Sequence, residues 1–135
     1  MPPALKESDA QDTEAIAYIR LTETGPSREE QDGAIRHAAE AAALTIADTV
    51  VEVAAIGEGD IVDRRMGLFE LLGAAQAGKI KTVVVSGWNA ISDQPLEAAL
   101  IALMLAKSGV RTVFADGFDI EPHRQAAQKI ARLTG

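Results

Sequence analysis

Apolar residues along the chain are grouped in four short runs that are typical of buried strands. The runs are AIAYIRL at 15–21, LTIADTVVEVAA at 44–55, KTVVVSG at 81–87 and RTVFA at 111–115. Short runs that are rich in β-branched residues and bounded by turn residues favour strands covered on both faces, as in a parallel sheet. The sequence therefore predicts four strands, with the continuous β-branched run at 81–87 in the centre of the sheet.

Between these runs, apolar residues return every three or four positions, which indicates helices. The predicted helices span residues 28–43, 63–77, 96–107 and 121–133. Ser27 and Glu30 have the spacing of a capping box at the start of the first helix. The helix at 96–107 follows Pro95 and is apolar nearly all round, whereas the last helix carries several basic residues.

The alternation of strand and helix predicts the fold class. It is typical of an α/β three-layer sandwich with a mainly parallel sheet of about four strands. In such sheets, sites form at the carboxyl ends of strands, near the point where the strand order reverses. The loops 22–27, 56–63 and 87–94 follow three of the strands and are predicted to converge there. Gly57 and Gly59 lack the spacing of a nucleotide-binding motif, which favours an ordinary loop.

Length and composition set the domain organisation. A chain of 135 residues is sufficient for one domain. Residues 1–12 are polar and without periodicity, so they are predicted to be a mobile tail ahead of a single domain at 13–135.

Charge and residue usage exclude several classes of function. The net charge of −7 predicts weak or no binding to DNA by the chain alone. There is no cysteine, and His37 and His123 are isolated, so no metal or other cofactor is expected. The first residues lack a signal pattern, and the longest apolar stretch, near 98–106, is too short to cross a bilayer. These features predict a cytoplasmic protein without membrane association.

Three motifs, in order, resemble those of the resolvase/invertase-type serine recombinases. Tyr18-Ile19-Arg20-Leu21-Thr22, with Gln31 downstream, resembles the Tyr-x-Arg-Val-Ser opening of that family. The segment DRRMGL at 63–68 is similar to its Arg-x-Gly-Leu segment, and VVVSGWNAISD at 83–93 lies where the family carries Asp-Arg-Leu-x-Arg. The resemblance covers about residues 14–115 and implies a resolvase-like fold. Members of that family continue past the fourth strand into a long helix that crosses DNA and then into a helix-turn-helix domain. About 20 residues follow the fourth strand here, too few for such a helix, so no C-terminal DNA-binding domain is expected.

The resemblance also implies a set of site residues. In that family, a serine hydroxyl attacks a DNA phosphodiester without a metal, and arginines supply the charge stabilisation that a cation would otherwise give. By position, Arg20, Gln31 and Arg65 match the phosphate-site residues, and Thr22 takes the place of the nucleophile. Threonine keeps a hydroxyl, but its β-methyl group restricts the rotamer and crowds an in-line attack.

The third motif departs furthest from the family pattern. Asn89, Ala90 and Asp93 stand where the family has its aspartate, its first arginine and its second arginine. At an effective dielectric near 20, a unit charge about 4 Å from a phosphate is worth roughly 4 kcal/mol, so one deletion and one exchange remove on the order of 8 kcal/mol or more. That corresponds to about a millionfold in rate. The site residues are therefore predicted to be vestigial for DNA cleavage.

The retained residues also have structural interpretations. Arg20 is able to pair with Asp93 or Glu23, Thr22 to bond the loop backbone, and Gln31 to be a solvated helix residue.

Two further features of the motifs allow similar interpretations. Arg65 and its neighbour Arg64 lie at a helix N-terminus, where a cation is unfavourable unless an anion or a carboxylate lies nearby. Trp88 is the only tryptophan in the chain, and its position favours packing in the core or at an interface over stacking on a base.

Three functions follow from these observations. The first is a stand-alone pseudoenzyme of the recombinase family, inactive in DNA strand cleavage and exchange, that associates with itself or with an active recombinase. This hypothesis is based on the apolar surface of helix 96–107 together with Ala126, Ala127, Ile130 and Leu133.

The other two functions keep the cleft chemically active. One is a site-specific DNA recombinase with Thr22 as nucleophile, and the other is an anion or small-ligand sensor that uses Arg20, Arg65 and the loop at 57–59.

Overall fold

The computed structural model describes residues 13–53 and 66–134. Its elements, in chain order, are β1 (Glu14–Leu21), α1 (Arg28–Ala41), β2 (Thr45–Val53), α2 (Met66–Gln76), β3 (Thr82–Val85), α3 (Trp88–Ile91), α4 (Pro95–Lys107), β4 (Arg111–Phe114) and α5 (Glu121–Thr134). The four predicted strands and four predicted helices are confirmed. The single turn of α3 has too short a pattern to be predicted from the sequence.

The sheet has the order β2-β1-β3-β4, and all its neighbouring strands are parallel. This confirms the three-layer α/β prediction and places β3 inside the sheet, next to β1. Because the chain leaves β1 for the strand on one side and later returns to the strand on its other side, a crevice opens at the carboxyl ends of β1 and β3.

Helices cover both faces of the sheet because side chains of β1 alternate between two apolar layers. Toward α1, the layer contains Ala15, Ala17, Ile19, Ile35 and Val84. Toward α2, α3 and α4, it contains Tyr18, Leu68, Leu71, Ala75, Val83, Val85, Ala90, Ile91, Ala98, Leu105 and Val110. The charged residue Arg20 continues the second layer at the end of β1, where the sheet meets the crevice.

The N-terminus of α1 is held by the capping box that the sequence predicts. Ser27 Oγ accepts a hydrogen bond from the Glu30 N–H at 3.1 Å, and Glu30 Oε1 accepts one from the Ser27 N–H at 3.3 Å. The helix ends at Ala41 rather than at the predicted residue 43, because Ala43 adopts a left-handed φ of 56° and the Leu44 N–H turns back to the Ala39 carbonyl. The cap fixes the register of the first turn, which carries Gln31.

The apolar helix α4 lies between the sheet and α5, which packs against it. Its buried side chains are those of Ala98, Ala99, Ala102 and Leu105, and Met104 remains 47% exposed. A helix with neighbours on two sides is expected to be apolar nearly all round. The sequence analysis attributed the apolar surface of this helix to an interface with a partner. Part of that surface is instead covered by other elements of the same chain.

Some sequence predictions lie outside the described residues. They are the tail at 1–12, the loop at 56–63, the start of the second helix at 63–65 and, with it, Arg65. Among the residues that the structure does describe, no helix combines the length and apolar character needed for a membrane span.

Candidate functional site

A cleft of about 220 Å³ lies at the carboxyl ends of β1 and β3. Its lining consists of Arg20, Thr22, Thr24, Gly25, Pro26, Gln31, Trp88, Asn89, Ala90 and Asp93. Of the three loops predicted to converge, 22–27 and 87–94 therefore meet here, and the third lies outside the described residues. Three of the four predicted site residues, Thr22, Arg20 and Gln31, share this cleft.

Gln31 is buried, and its amide group joins three segments of the chain. Its Nε2 donates to the carbonyls of Arg20 at 2.8 Å and Pro26 at 3.0 Å. Its Oε1 accepts from the Arg20 N–H at 3.3 Å, and the Ser86 hydroxyl lies 3.4 Å away. The interpretation of Gln31 as a solvated helix residue is therefore wrong, because the capped first turn of α1 points this side chain inward.

The bonds of Gln31 explain how β1 keeps its extended form up to the cleft. The register between β1 and β3 ends at Ala17 and Val84, three residues before Arg20. Both backbone groups of Arg20 are then satisfied by the single amide of Gln31, as a neighbouring strand would satisfy them. The side chain thus holds the end of β1 in place.

Arg20 projects from β1 into the cleft and pairs with Asp93. The two side chains are joined by Arg20 Nη1 and Asp93 Oδ1 at 3.0 Å. The arginine side chain is 6% exposed, whereas the aspartate side chain is 80% exposed. The sequence analysis named two possible partners for Arg20, and in the structure the partner is Asp93. The charge of the buried guanidinium is therefore balanced by a carboxylate of the same chain.

Thr22 follows Arg20 by two residues, on the mouth of the cleft. Its Oγ1 lies so close to Gly25 that a Cβ atom at position 25 would collide with it. The hydroxyl is therefore covered on one side by the backbone of its own loop. With the Thr22 side chain in this rotamer there is no room for a Cβ atom at position 25, and the close approach narrows the directions from which a reacting group could meet the hydroxyl.

The turn after β3 forms the opposite wall of the cleft. Gly87 precedes α3, in which Ala90 and Ile91 are buried and Asn89 is exposed. Trp88 packs against the apolar layer, with its ring 6.3 Å from that of Phe118. Of the two packing roles predicted for it, in the core or at an interface, the structure shows contact with the core. Among the lining residues that the structure describes, Arg20 is the one cation.

Glu52 is a buried polar residue that the sequence analysis missed. It lies on β2 directly opposite Arg20 in register and is 7% exposed. The Tyr18 hydroxyl donates to Glu52 Oε2, and the Gly67 N–H donates to Glu52 Oε1 at 2.8 Å. A carboxylate at this point complements the positive end of α2. The sequence did contain a signal for this buried carboxylate, namely an acidic residue at an inward-facing position of the strand run TVVEV.

Within residues 13–53 and 66–134, no three histidine, aspartate or glutamate side chains are arranged to hold a metal ion. The cleft instead combines one compensated guanidinium with the hydroxyls of Thr22 and Thr24 and the amide of Asn89. These are hydrogen-bonding groups suited to oxygen-rich ligands.

Comparisons with known proteins agree with this architecture. The family model of the resolvase N-terminal domain matches residues 15–134. A search of curated proteins finds no match. The first of the similar solved structures is the N-terminal catalytic domain of TP901-1 integrase, with a TM-score of 0.64, 17% identity, and coverage of 90% of this chain and 93% of that chain.

Two further structures share the fold. The C-terminal catalytic domain of ISC1926 TnpA, an IS607-like serine recombinase, has a TM-score of 0.59 and 17% identity, covering 89% of this chain and 78% of that chain. The first open reading frame of transposon ISC1904 from Sulfolobus solfataricus P2 has a TM-score of 0.54 and 12% identity, covering 88% and 79%. At these identities the likeness concerns the fold alone.

Proposed function

We propose that this chain, which belongs to the resolvase N-terminal domain family, keeps the fold of a recombinase catalytic domain without cleaving DNA and acts through association with other proteins. The observation that carries the first half is the ion pair between Arg20 and Asp93 in the cleft. This ion pair supports the absence of DNA cleavage, because the carboxylate lies where a bound phosphate would need a positive charge.

Both partners of the ion pair affect the binding of a phosphate in the cleft. A carboxylate about 4 Å from a bound phosphate raises the free energy of the complex by about 4 kcal/mol at an effective dielectric near 20. This corresponds to roughly a thousandfold in rate. Because Asp93 Oδ1 lies 3.0 Å from Arg20 Nη1, the carboxylate also competes with an incoming phosphate for the guanidinium.

The position of Thr22 adds a steric argument. Its hydroxyl packs against Gly25, and its β-methyl group limits rotation about χ1. A nucleophile needs a free approach along the line of the bond it breaks. Charge and shape in the cleft therefore both support a domain without strand cleavage, in preference to a recombinase that uses Thr22.

The second half of the proposal, protein association, is supported by exposed apolar side chains. Val53 is 64%, Phe69 is 65% and Met104 is 47% exposed, at the end of β2 and on α2 and α4. The net charge of −7 works against a nucleic-acid partner. We propose a second copy of the chain or an active recombinase as the partner, with Met104 on α4 within the interface.

Incubation with supercoiled DNA tests the loss of cleavage. With the full chain fused to a DNA-binding domain, we expect no covalent protein–DNA adduct on a denaturing gel, because the cleft does not stabilise the phosphate. Thr22→Ser is expected to behave like the wild type. An adduct with the wild-type protein that disappears in Thr22→Ala would contradict the proposal, and an adduct with Thr22→Ser alone would show that only the nucleophile is lost.

Light scattering at micromolar concentration tests association. The wild-type chain is expected to have a mass above that of a monomer, alone or when mixed with a purified serine recombinase. Met104→Glu is expected to weaken this association at least tenfold, because a charge would be buried at the interface. Ala106→Glu places the same charge at an exposed position of the same helix and serves as the control. A strict monomer under both conditions would refute the association.

A further inference from the structure

We infer that the chain carries two oppositely charged edges, at the two ends of its strands, through which copies of the chain associate head to tail. The inference concerns surfaces other than the cleft and Met104, and it rests on the proposed association for the kind of partner, a second copy. The basic edge consists of Lys79, Lys81, Lys107 and Arg111, and the acidic edge consists of Glu23, Glu29, Glu97, Asp116 and Asp119.

The four cations of the basic edge lie together where β3 and β4 begin. Lys81 directly precedes β3, Arg111 opens β4, and the Arg111 N–H donates to the Lys81 carbonyl at 2.9 Å. Lys79 and Lys81 line one small cavity with Glu14, the first residue of β1. Lys107 ends α4, and a short turn joins it to Arg111. Positive charge is therefore concentrated at the start of the strands.

This positive charge is not compensated by the described part of the chain. All four residues are exposed, and none forms an ion pair within 13–53 and 66–134. Lys79 and Lys107 follow or end a helix, where a cation complements the helix dipole. Lys81 and Arg111 lie at the starts of strands, which have no comparable dipole. Among the described residues that line the nearby cavity, Glu14 is the one carboxylate.

Carboxylates are concentrated at the opposite edge, where the strands end. Glu29 lies in the first turn of α1, and Glu97 lies in the first turn of α4. Glu23 follows β1, and Asp116 and Asp119 follow β4. All five residues are exposed, and none of them is in an ion pair with another described residue. This edge therefore presents a negative surface to solvent.

The two edges are far enough apart to act as separate surfaces. The strand β1 has eight residues, which places its ends roughly 26 Å apart. This distance exceeds the screening length of about 8 Å at physiological ionic strength, so the charges of one edge do not neutralise those of the other within one molecule. Arg28 and Arg124 also lie at the acidic edge, but Arg124 is already paired with Glu121 at 3.2 Å.

Charge complementarity favours a second copy as the partner of the basic edge. In a head-to-tail contact, the basic edge of one copy meets the acidic edge of the next, and the two surfaces attract each other. A nucleic acid would also be attracted to the basic edge, but the net charge of −7 opposes the approach of a polyanion. Because the contact joins two different surfaces, assembly continues into a closed ring or an open chain.

Analytical ultracentrifugation of the full chain tests this contact. Raising sodium chloride from about 50 mM to about 500 mM is expected to raise the dissociation constant of self-association at least tenfold, because salt screens the two edges. The double variant Lys81→Glu/Arg111→Glu is expected to have the same effect at low salt. Arg28→Glu/Arg124→Glu makes the same change of net charge at the other edge and is the control. It is expected to associate at least as tightly as the wild type.

Mixing two variants separates loss of the contact from loss of the fold. Glu23→Lys/Glu97→Lys reverses two charges of the acidic edge, just as Lys81→Glu/Arg111→Glu reverses two charges of the basic edge. Each double variant is expected to associate weakly by itself, because its two edges repel. An equimolar mixture is expected to recover a mass above that of a monomer, since the altered edges of the two variants leave complementary surfaces.

Three results would overturn the head-to-tail contact. The first is equal weakening in Lys81→Glu/Arg111→Glu and in the control, which would attribute the effect to net charge. The second is a monomeric wild type that binds a duplex oligonucleotide through Lys81 and Arg111, which would make the basic edge a nucleic-acid surface. The third is association that neither salt nor these variants change. That third result leaves the proposed interface on α4 standing, and the interface on α4 fails separately if Met104→Glu associates as tightly as the wild type.

Discussion

Replacing Glu52 by alanine is expected to lower the free energy of unfolding by about 2 to 5 kcal/mol. Glu52 is 7% exposed and accepts hydrogen bonds from the Tyr18 hydroxyl and the Gly67 N–H. Alanine removes this acceptor from two donors on different elements, β1 and α2, and each buried donor that loses its partner costs about 1 to 3 kcal/mol. Urea unfolding followed by circular dichroism measures the change.

Two matched variants separate the contributions at this site. Glu52→Gln keeps an acceptor oxygen and nearly the same volume, so its cost is expected to be well below that of alanine. Tyr18→Phe removes the hydroxyl that donates to Glu52, so no unpaired donor is left behind. It is expected to lower the free energy of unfolding by about 1 to 2 kcal/mol. If Glu52→Ala were no less stable than Glu52→Gln, the carboxylate would not be the link between β1, β2 and α2 that the structure shows.

Replacing Gln31 by leucine is expected to lower the free energy of unfolding by about 2 to 4 kcal/mol. Leucine has a similar volume and fills the buried position, so the loss isolates the hydrogen bonds of the amide. The groups affected are the carbonyls of Arg20 and Pro26 and the N–H of Arg20. Because these groups belong to the end of β1 and the following loop, hydrogen exchange is also expected to accelerate at 20–26.

The control for this prediction is Gln76→Leu, an exposed glutamine at the end of α2. Its replacement is expected to change stability by less than about 0.5 kcal/mol, as for most surface substitutions. Gln31→Glu is expected to be as costly as leucine, because a second oxygen would face two carbonyls. A stability of Gln31→Leu equal to that of the wild type would show that the bonds seen around the amide carry little energy.

These two predictions bear on the structural tasks of residues in the segments that resemble the family's opening motif. Tyr18 and Gln31 are two of these residues, and both are buried with partners on other elements. Each therefore has a structural task that does not require catalysis. Arg20 has one as well, since its pairing with Asp93 joins the end of β1 to the link between α3 and α4.

The sequence by itself determined the elements and the class of the fold. The β-branched runs marked all four strands, and the spacing of Ser27 and Glu30 marked the start of α1 within the residues that the structure describes. These signals are local, because the period of apolar residues and the chemistry of a cap depend on neighbours a few positions away. The order of three motifs then indicated the family.

Only the tertiary structure decided which side chains meet. Arg20 and Asp93 are 73 positions apart, and the sequence allowed Glu23 as an equal partner. The burial of Gln31 depends on how α1 packs on the sheet, and the role of Glu52 depends on the pairing of β2 with β1. The apolar surface of α4 is covered because α5 packs against it. Such contacts depend on strand order and helix packing, which bring distant segments together and which local periodicity does not encode.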